Sequence, residues 1–534
     1  MKSGKANNRT VDSNESGCLL KLLDGLPLAI AQAGAYLQES GVGLATYLRF
    51  YEQQWSELME SGDVGDAPLQ DYPERSVWTT WAISYQAIRD KHKPTANLLL
   101  LWSFLDNKDL WYGLFAAACR KSAVASMLSE WVGDVASSEL AFSRAMQRLR
   151  SYSLIEEVEE TASYATHPVV HRWARHYQGE QFGVKLGRLA VVIVGLAVPR
   201  RSTRDYTNMQ RRLLPHAQAS SRWTIASQTD QSIGKDGNCD EDVDKGVDIK
   251  IFLRALHLLG SLYTNQGKLV EAEQMYEQAL RGKEEALGPK HTSTLDTVNN
   301  LGLLYKDQGK LVEAEQMYER ALRGYEEVLG PKHTSTLNTV NNLGILYKNQ
   351  GKLVEVEQMY ERALRGKEEA LGSKHTSTLN TVNNLGNLYK NQGKLVKAEQ
   401  MYERALPGYE EVLGPKHTST LNTVNNLGIL YKNQGKLVEA EQMYERALRG
   451  YEEALGDDVV QRYRPALNTM ENMGDLYVEQ QQYSKAQAVY AKALSGWLGL
   501  LGQSSTRYNR VASKMRALPS LEAEQRGRVQ SLAV

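Results

Sequence analysis

The sequence predicts an all-α protein whose C-terminal half is a stack of helical hairpins, preceded by smaller helical modules with room for a little β-structure. Three observations lead there. The string GKLV begins at Gly267, Gly309, Gly351, Gly393 and Gly435, a strict step of 42 residues. On either side of each of these glycines, apolar residues recur at helical spacing. The composition is skewed to 28 Tyr against 6 Phe, and the repeated text supplies most of those tyrosines.

The copies are nearly identical. HTSTLNTVNNLGILYKNQGKLVEVEQMYERALRG runs from His333 to Gly366, and its counterpart begins at His417. A sixth, divergent copy reads NMGDLYVEQQQYSKAQAVYAKAL, with Gly474 lying 46 residues after Gly428, so it carries an insertion around DDVVQRYRP. In the third copy Leu337, Val340, Leu343, Gly344 and Tyr347 share one face of a first helix. Gly351 then breaks that helix with a tight turn. Leu353, Val356, Tyr360, Ala363 and Leu364 form the inner face of a second helix, and Leu371-Gly372-Ser373-Lys374 punctuates the unit. Gly344 and the alanines equivalent to Val356 (Ala272, Ala314, Ala398, Ala440) let paired helices approach closely. One hairpin cannot bury its apolar face, so the units must stack. Pro407 replaces the arginine found at 323, 365 and 449; a proline inside a helix predicts a bend or an early end there.

Leu-Gly-x-x-Tyr followed by Gly, Ala, Tyr and Ala-Leu at these offsets resembles the tetratricopeptide repeat. The 42-residue period, with LGxxHxxT between units, is similar to the kinesin-light-chain subtype, and the resemblance covers Asp248 to Gly502. It implies a solenoid that lines its inner curve with first helices. Inward positions fall two, five, nine and twelve residues into the repeat. Position five reads His257, Asn299, Asn341, Asn383, Asn425, Glu471; position twelve reads Thr264, Lys306, Lys348, Lys390, Lys432, Val478. Seven residues apart, these positions share a helix face, so an asparagine ladder stands beside a lysine ladder. Primary amides offer donor and acceptor to an extended peptide backbone, and the lysines favour an acidic partner. Position nine varies (Ser261, Leu303, Ile345, Asn387, Ile429, Asp475) and would supply selective pockets. Purely structural amides, bonding neighbouring turns, are the alternative.

Towards the N-terminus, Pro27 after Asp24-Gly25-Leu26 suits the first turn of a helix. GLPLA at 25–29 resembles the motif of that name in the NB-ARC nucleotide-binding ATPases of the NLR/STAND class. SLIEE…YATHPVVHRWARH, within Phe142 to His176, is similar to the winged-helix end of that module. There His167 matches the histidine of a Met-His-Asp-like motif and Pro168 stands in place of its aspartate; the residues themselves read His167 as a helix cap or packed histidine. RRLLPHA at 211–217 resembles the helical pair that joins such modules to repeat arrays in fungal proteins.

Other chemistry is missing from the text. A phosphate cradle needs G-x-x-x-x-G-K-[ST], and Gly4-Lys5-Ala6 lacks both the upstream glycines and the hydroxyl. The expectation is a chain that begins inside the ATPase module, after its catalytic half. Cys18, Cys119 and Cys239 are too far apart for a metal or disulfide framework. His291, His333, His375 and His417 are one loop position repeated, which argues for loop bonding over metal ligation. His167 and His171 have i, i+4 spacing without a third ligand. Trp78 and Trp81 read as packing anchors. Lys+Arg and Asp+Glu are 63 each, which excludes a globally basic nucleic-acid coat. The longest apolar run, Leu189 to Val198, is too short to span a bilayer.

The expected organisation is a disordered tail (1–17), a helical NB-ARC remnant (18–90), a winged-helix-like unit (91–180), a joining helical pair (181–217), a disordered linker (218–249), six tetratricopeptide repeats (250–502) and a capping helix with tail (503–534). The expected function is non-enzymatic: a cytoplasmic protein-interaction scaffold, or the sensor arm of an NLR-like protein. It would hold a protein or peptide, acidic by preference, in the concave groove, with no cofactor, metal, nucleic acid or membrane. A kinesin-light-chain-like cargo adaptor, and a nucleotide-dependent switch if an N-terminal half is missing, are the alternatives.

Overall fold

The computed structural model describes residues 13–23, 26–60, 75–177, 180–200, 206–231 and 248–532. Among the described residues the fold is all-α with one small β-hairpin, and the chain divides into two compact units, Met1–Pro289 and Lys290–Val534.

The first unit contains α1 (Ser13–Leu22), α2 (Pro27–Ser40), α3 (Leu44–Glu60), α4 (Arg75–Lys91), α5 (Lys93–Trp102), α6 (Tyr112–Cys119), α7 (Ser122–Val132), α8 (Glu139–Ser151), β1 (Ile155–Val158), β2 (Ser163–Thr166), α9 (Pro168–His176), α10 (Glu180–Ala197), α11 (Tyr206–Gln231), α12 (Ile249–Asn265) and α13 (Leu269–Leu287). Pro27 opens α2 and Gly41, in the left-handed conformation, closes it. Gln32 of α2 is fully buried; its amide oxygen accepts from the Trp81 indole of α4 and its amide nitrogen donates to the Ser153 carbonyl at 3.1 Å. Trp81 packs 6.0 Å from Trp173 of α9, which makes both core anchors. β1 and β2 pair antiparallel from Ile155↔Thr166 to Val158↔Ser163, and Leu110 bridges Tyr164 on the other side.

The apolar run at 189–198 lies in α10, where Ala190 to Val194 are fully buried. A helix apolar on every side belongs in a core. α10 packs against α5, α6, α11 and α12. Its Gly195 leaves no room for a side chain: a methyl there would come within 2.7 Å of the Ala255 backbone. Among the described residues no helix is long and apolar enough to cross a membrane. α1 already begins at Ser13, inside the stretch expected as a tail, and residues 1–12 lie outside the described ones. The expected linker also starts too early. α11 continues to Gln231, with Ser220 and Ser221 buried and Ser221 Oγ 2.8 Å from the Tyr263 hydroxyl. Residues 232–247 lie outside the described ones.

The second unit stacks hairpins α14/α15 (Thr292–Asp307, Leu311–Leu329), α16/α17 (Thr334–Asn349, Leu353–Leu371), α18/α19 (Thr376–Asn391, Leu395–Leu413) and α20/α21 (Thr418–Asn433, Leu437–Leu455). After a short α22 (Asp457–Val460) follow α23/α24 (Arg464–Glu479, Tyr483–Leu501) and the terminal α25 (Thr506–Leu532). Each hairpin closes through two reciprocal contacts. A methyl on Gly344 of α16 would come within 2.5 Å of the Tyr360 ring in α17, and one on Gly366 of α17 within 2.5 Å of Leu337 in α16. Tyr360 also packs with Leu385 and Leu388 of the next hairpin, so the same ring seals the hairpin and the seam. α25 buries Val511 and Leu518 and covers the last hairpin.

The turns obey one rule with one exception. Gly351, at φ +76°, and its counterparts join the two helices in the left-handed region; in the divergent copy Gln481 does so at φ +61°. The histidine of each loop caps the following helix, with Nδ1 of His333 accepting from the Ser335 N–H at 3.2 Å and His291, His375 and His417 doing the same. Ion pairs cross the seams in register: Lys332–Glu369, Lys374–Glu411 and Lys416–Glu453 at 2.5–2.8 Å, and Lys352–Glu315, Lys394–Glu357 and Lys436–Glu399 at 3.0–3.2 Å. Surface pairs are worth at most ~1 kcal/mol each, so they bias the register of stacking more than they stabilise it.

Pro407 does not end its helix early. α19 runs through it to Leu413, the same place as in the sibling copies. The residue is exposed, so the ring projects into solvent, while Ala405, Gly408 and Tyr409 are buried and hold the helix on the other side.

One core position alternates. Tyr325, Tyr409 and Tyr451 are buried with their hydroxyls on Asp296, Asn380 and Asn422. In the third copy the same place holds Lys367, 2 % exposed, whose Nζ reaches, among the described residues, only the Thr381 hydroxyl at 3.1 Å and the Ser377 carbonyl at 3.4 Å. Burial without a carboxylate pushes Lys367 down to about 8. The unfolded chain binds that proton more tightly, so stability is lowest below pH 8 and rises with pH between about 8 and 10. Lys367→Tyr, which copies the siblings, is expected to raise stability at pH 7 by roughly 1–3 kcal/mol. That advantage shrinks between pH 8 and 9.5. Denaturant titrations of the full chain at those pH values check it; equal stability at pH 7, or a pH-independent gain, would contradict the assignment.

Candidate functional site on the first helices

The histidine caps fix where each first helix of the second unit starts, and the inward contacts of Leu337, Val340, Leu343 and Leu346 and their equivalents fix its rotation. That leaves positions two, five, six, nine and twelve on a half-exposed face. The structure brings the asparagines of position five together with a row the sequence reading did not single out, position six. Asn342 Nδ2 donates to Asn299 Oδ1 at 3.3 Å, Asn384 to Asn341 at 3.2 Å, Asn426 to Asn383 at 3.3 Å and Asn472 to Asn425 at 3.2 Å. The hydroxyls of Thr339, Thr381 and Thr423 lie 3.1–3.5 Å from the first three of these oxygens. The signal was the Asn-Asn doublet itself: one member receives from the next repeat and the other gives to the previous one.

This corrects the expectation of amides with both functions free. The oxygens of Asn299, Asn341, Asn383 and Asn425 are engaged inside the array, because adjacent first helices lie close enough for direct amide–amide bonds. Their Nδ2 groups make no hydrogen bond within the described residues, so the face is polarised towards donors.

The lysines of position twelve are not equivalent. Lys306 pairs with the adjacent Asp307 at 3.1 Å. In the next three copies that neighbour is Asn349, Asn391 or Asn433, and Lys348, Lys390 and Lys432 make no ion pair among the described residues. Lys390 Nζ lies 3.5 Å from Asn387 Oδ1. Burial, and then the charge of Lys348, push Lys390 down to about 8.

Position nine reports on the tyrosine beneath it. Asn387 accepts from the Tyr402 hydroxyl at 2.8 Å and Asp475 from Tyr490 at 2.5 Å. Where the residue is Leu303 or Ile429, the buried hydroxyls of Tyr318 and Tyr444 have no hydrogen-bond partner among the described residues. Ile345 continues this apolar row in the third copy.

At the last hairpin the ladder turns acidic and is closed by α25. Arg510 and Lys514 reach Glu471, 3 % exposed, at 2.7 and 2.9 Å, and Lys514 reaches Asp475 at 2.7 Å. Lys514 lies 42 residues after Asn472, so it occupies position six of a seventh first helix. It makes the same seam contact as the asparagines, with charges in place of amides.

The N-terminal motifs hold one loop. His167 caps α9, its Nδ1 accepting from the Val169 N–H at 3.3 Å. His171 Nε2 donates to the Trp102 carbonyl at 3.0 Å, and Arg175 Nε to the Ser103 carbonyl at 2.8 Å. Burial, and then Arg175, push His171 down to about 4, so it is neutral. From the RRLLPHA segment, Arg212 forks onto Asp109 at 2.7 and 2.8 Å. His216 accepts from the Asp106 N–H at 3.1 Å and donates to the Asp109 carbonyl at 2.8 Å. These motif residues thus fasten the loop between α5 and α6 to α9 and α11. Among the described residues no group of three or more His, Cys, Asp or Glu is placed to hold a metal ion.

The hairpin geometry and repeat register define the second unit as a tetratricopeptide array. Residues 252–327, 295–369 and 374–453 match the tetratricopeptide repeat family, as do residues 467–495. Among curated proteins the chain is similar to a nucleotide-binding leucine-rich repeat (NLR)-like protein of Hyaloscypha variabilis, 28 % identical over 290 residues. The match covers 53 % of this chain and 25 % of that protein, so the chain spans about a quarter of this relative's length. Among solved structures it is similar to BtubC from P. vanneervenii at 24 % identity, covering 45 % of this chain and 91 % of that one, with a TM-score of 0.37. It is also similar to a putative kinesin light chain with nearly identical TPR-like repeats from Podospora anserina at 24 % identity, covering 38 % and 97 %, with a TM-score of 0.34.

If the amide seam holds the array, Asn384→Ala costs about 1 kcal/mol of unfolding free energy, a typical net hydrogen bond. Asn341→Ala then costs little more on top of it. A double-mutant cycle by denaturant unfolding is expected to give a coupling of roughly 0.5–1.5 kcal/mol; strict additivity would remove the seam bond from the account.

Proposed function

We propose that the chain is a protein-interaction arm of an NLR-like protein, whose tetratricopeptide array binds an extended stretch of another polypeptide along its first-helix face. The observation that carries this reading is the split use of the position-five asparagines. Their oxygens are spent on the seam, and their Nδ2 groups recur once per repeat beside apolar Leu303, Ile345 and Ile429 and the lysines of position twelve. An extended backbone presents carbonyl acceptors at regular intervals, so a rail of donors suits it whatever its side chains. The similarity to an NLR-like protein over about half of this chain supports the wider assignment.

In this reading the first unit corresponds to the C-terminal part of an NB-ARC module, with its winged-helix-like end. α5, the Leu110 bridge, α6 to α8 and the β1–β2 hairpin follow one another in the order of a winged helix, and His167 serves as a helix cap. The clamp on the α5–α6 loop by Arg212 and His216 gives the joining helix a mechanical task in that unit.

The test is a peptide-display screen against the full chain, followed by Asn341→Asp and Asn383→Asp. These variants keep the seam acceptor and delete the outward donor. Selected binders are expected to lose about tenfold or more in affinity, roughly 1.4 kcal/mol, while the melting temperature moves by only a few degrees. Binders indifferent to both variants would place the interaction elsewhere.

A further inference from the structure

The charges along the first-helix face are balanced at its two ends and open between them. Lys306 is held by Asp307 at 3.1 Å. At the other end Glu471 and Asp475 are satisfied by Arg510 and Lys514 of α25. Lys348, Lys390 and Lys432 lie between, and a single residue separates their state from that of Lys306: the next position is Asn349, Asn391 or Asn433 in place of Asp307. Four nearly identical copies therefore differ at the one place that decides whether the groove lysine has its own counter-ion.

Resting on the groove reading above, we propose that Lys348, Lys390 and Lys432 form a three-repeat footprint for an acidic, extended polypeptide segment carrying a carboxylate at every third residue, with Lys306 outside the footprint.

The spacing follows from the seam. Successive first helices are bonded side chain to side chain through Asn384–Asn341 and Asn426–Asn383. Packed helices lie roughly 8–10 Å apart. A chain extended as a polyproline II helix advances about 3.1 Å per residue with three residues per turn, so every third side chain points the same way and one lysine per repeat meets one ligand carboxylate per three residues. Between those carboxylates the ligand passes Ile345, Asn387 and Ile429, so an apolar residue is accepted beside the third and fifth copies and a polar one beside the fourth. Lys390, already partly desolvated and 3.5 Å from Asn387, loses least on being covered. An ion pair formed there is screened less than one at an open surface.

Fluorescence anisotropy on the full chain tests this. The probes are a labelled peptide with glutamate at every third position among serines and threonines, and an isomer with the same glutamates contiguous. The sibling copies supply the variants, so folding is preserved. Asn391→Asp and Asn433→Asp install the counter-ion of the second copy and are expected to weaken the spaced peptide about fivefold or more each, the equivalent of one lost ion pair at roughly 1 kcal/mol. Asp307→Asn, which removes the counter-ion of Lys306, is expected to strengthen a peptide one period longer. The proposal is overturned if the contiguous isomer binds as well as the spaced one, if Asn391→Asp is silent, or if neither acidic peptide binds. Binders from the display screen that still respond to Asn341→Asp would, in that last case, leave the groove reading standing while removing this one.

Discussion

A helical hairpin with one apolar face cannot hide that face by itself, and everything in the second unit depends on how the next hairpin covers it. The covering layer is apolar: Tyr360 against Leu385 and Leu388, Tyr318 against Leu343 and Leu346. Apolar contact is not directional, so it would tolerate sliding. The amide pair at each seam does not. Asn342 on Asn299 and its repeats fix the register between first helices, the ion-pair rows fix it at the outer edges, and the reciprocal glycine contacts fix the rotation inside each hairpin. α25 enters the same frame with Lys514 on Glu471, which ends the array with a charged version of the bond that builds it.

In the proposed function, that arrangement ties structure to recognition through a single side chain. A primary amide has two ends. In position five one end is consumed by the fold, so the other is held in place without further ordering cost. The lysines follow the same logic with charge: where the neighbour is Asp307 the cation is closed, and where it is asparagine the cation is open. Pre-positioned donors matter because association must repay the ordering of flexible groups, and a rail set by the seams is ordered before any ligand arrives.

Much of this was written in the sequence. The period of 42, the glycine turns and the small residues at Gly344 and the 356-equivalent positions gave the hairpins and their stacking, because near-identical copies must solve the same packing problem in the same way. The candidate face was legible as a set of positions and illegible as a set of bonds. Position five was found from helical spacing, yet its oxygen is taken by a residue one place along on the next helix, and no pattern within one helix reveals that. Of the bend or early end expected at Pro407, the early end does not occur, because sequence carries the intrinsic cost of proline and not the exposure that lets the helix pass. The start of the expected linker failed for the opposite reason: Ser220 and Ser221 look like loop residues until Tyr263 buries and bonds them. Lys367 in a tyrosine's place is visible in the text, but only the structure exposes the missing carboxylate.

The central claim is that the seams are interchangeable, each made by the same amide, tyrosine and ion-pair contacts. A seam-preserving deletion tests it most directly: removal of residues 334–375, one full period, joins the second copy to the fourth with every seam contact type intact. Equilibrium unfolding is expected to remain cooperative, with native helicity per residue and a stability lowered by one repeat's increment, as nearest-neighbour stacking requires. A deletion that yields a molten or aggregated chain, or one no less stable than the parent, would contradict it.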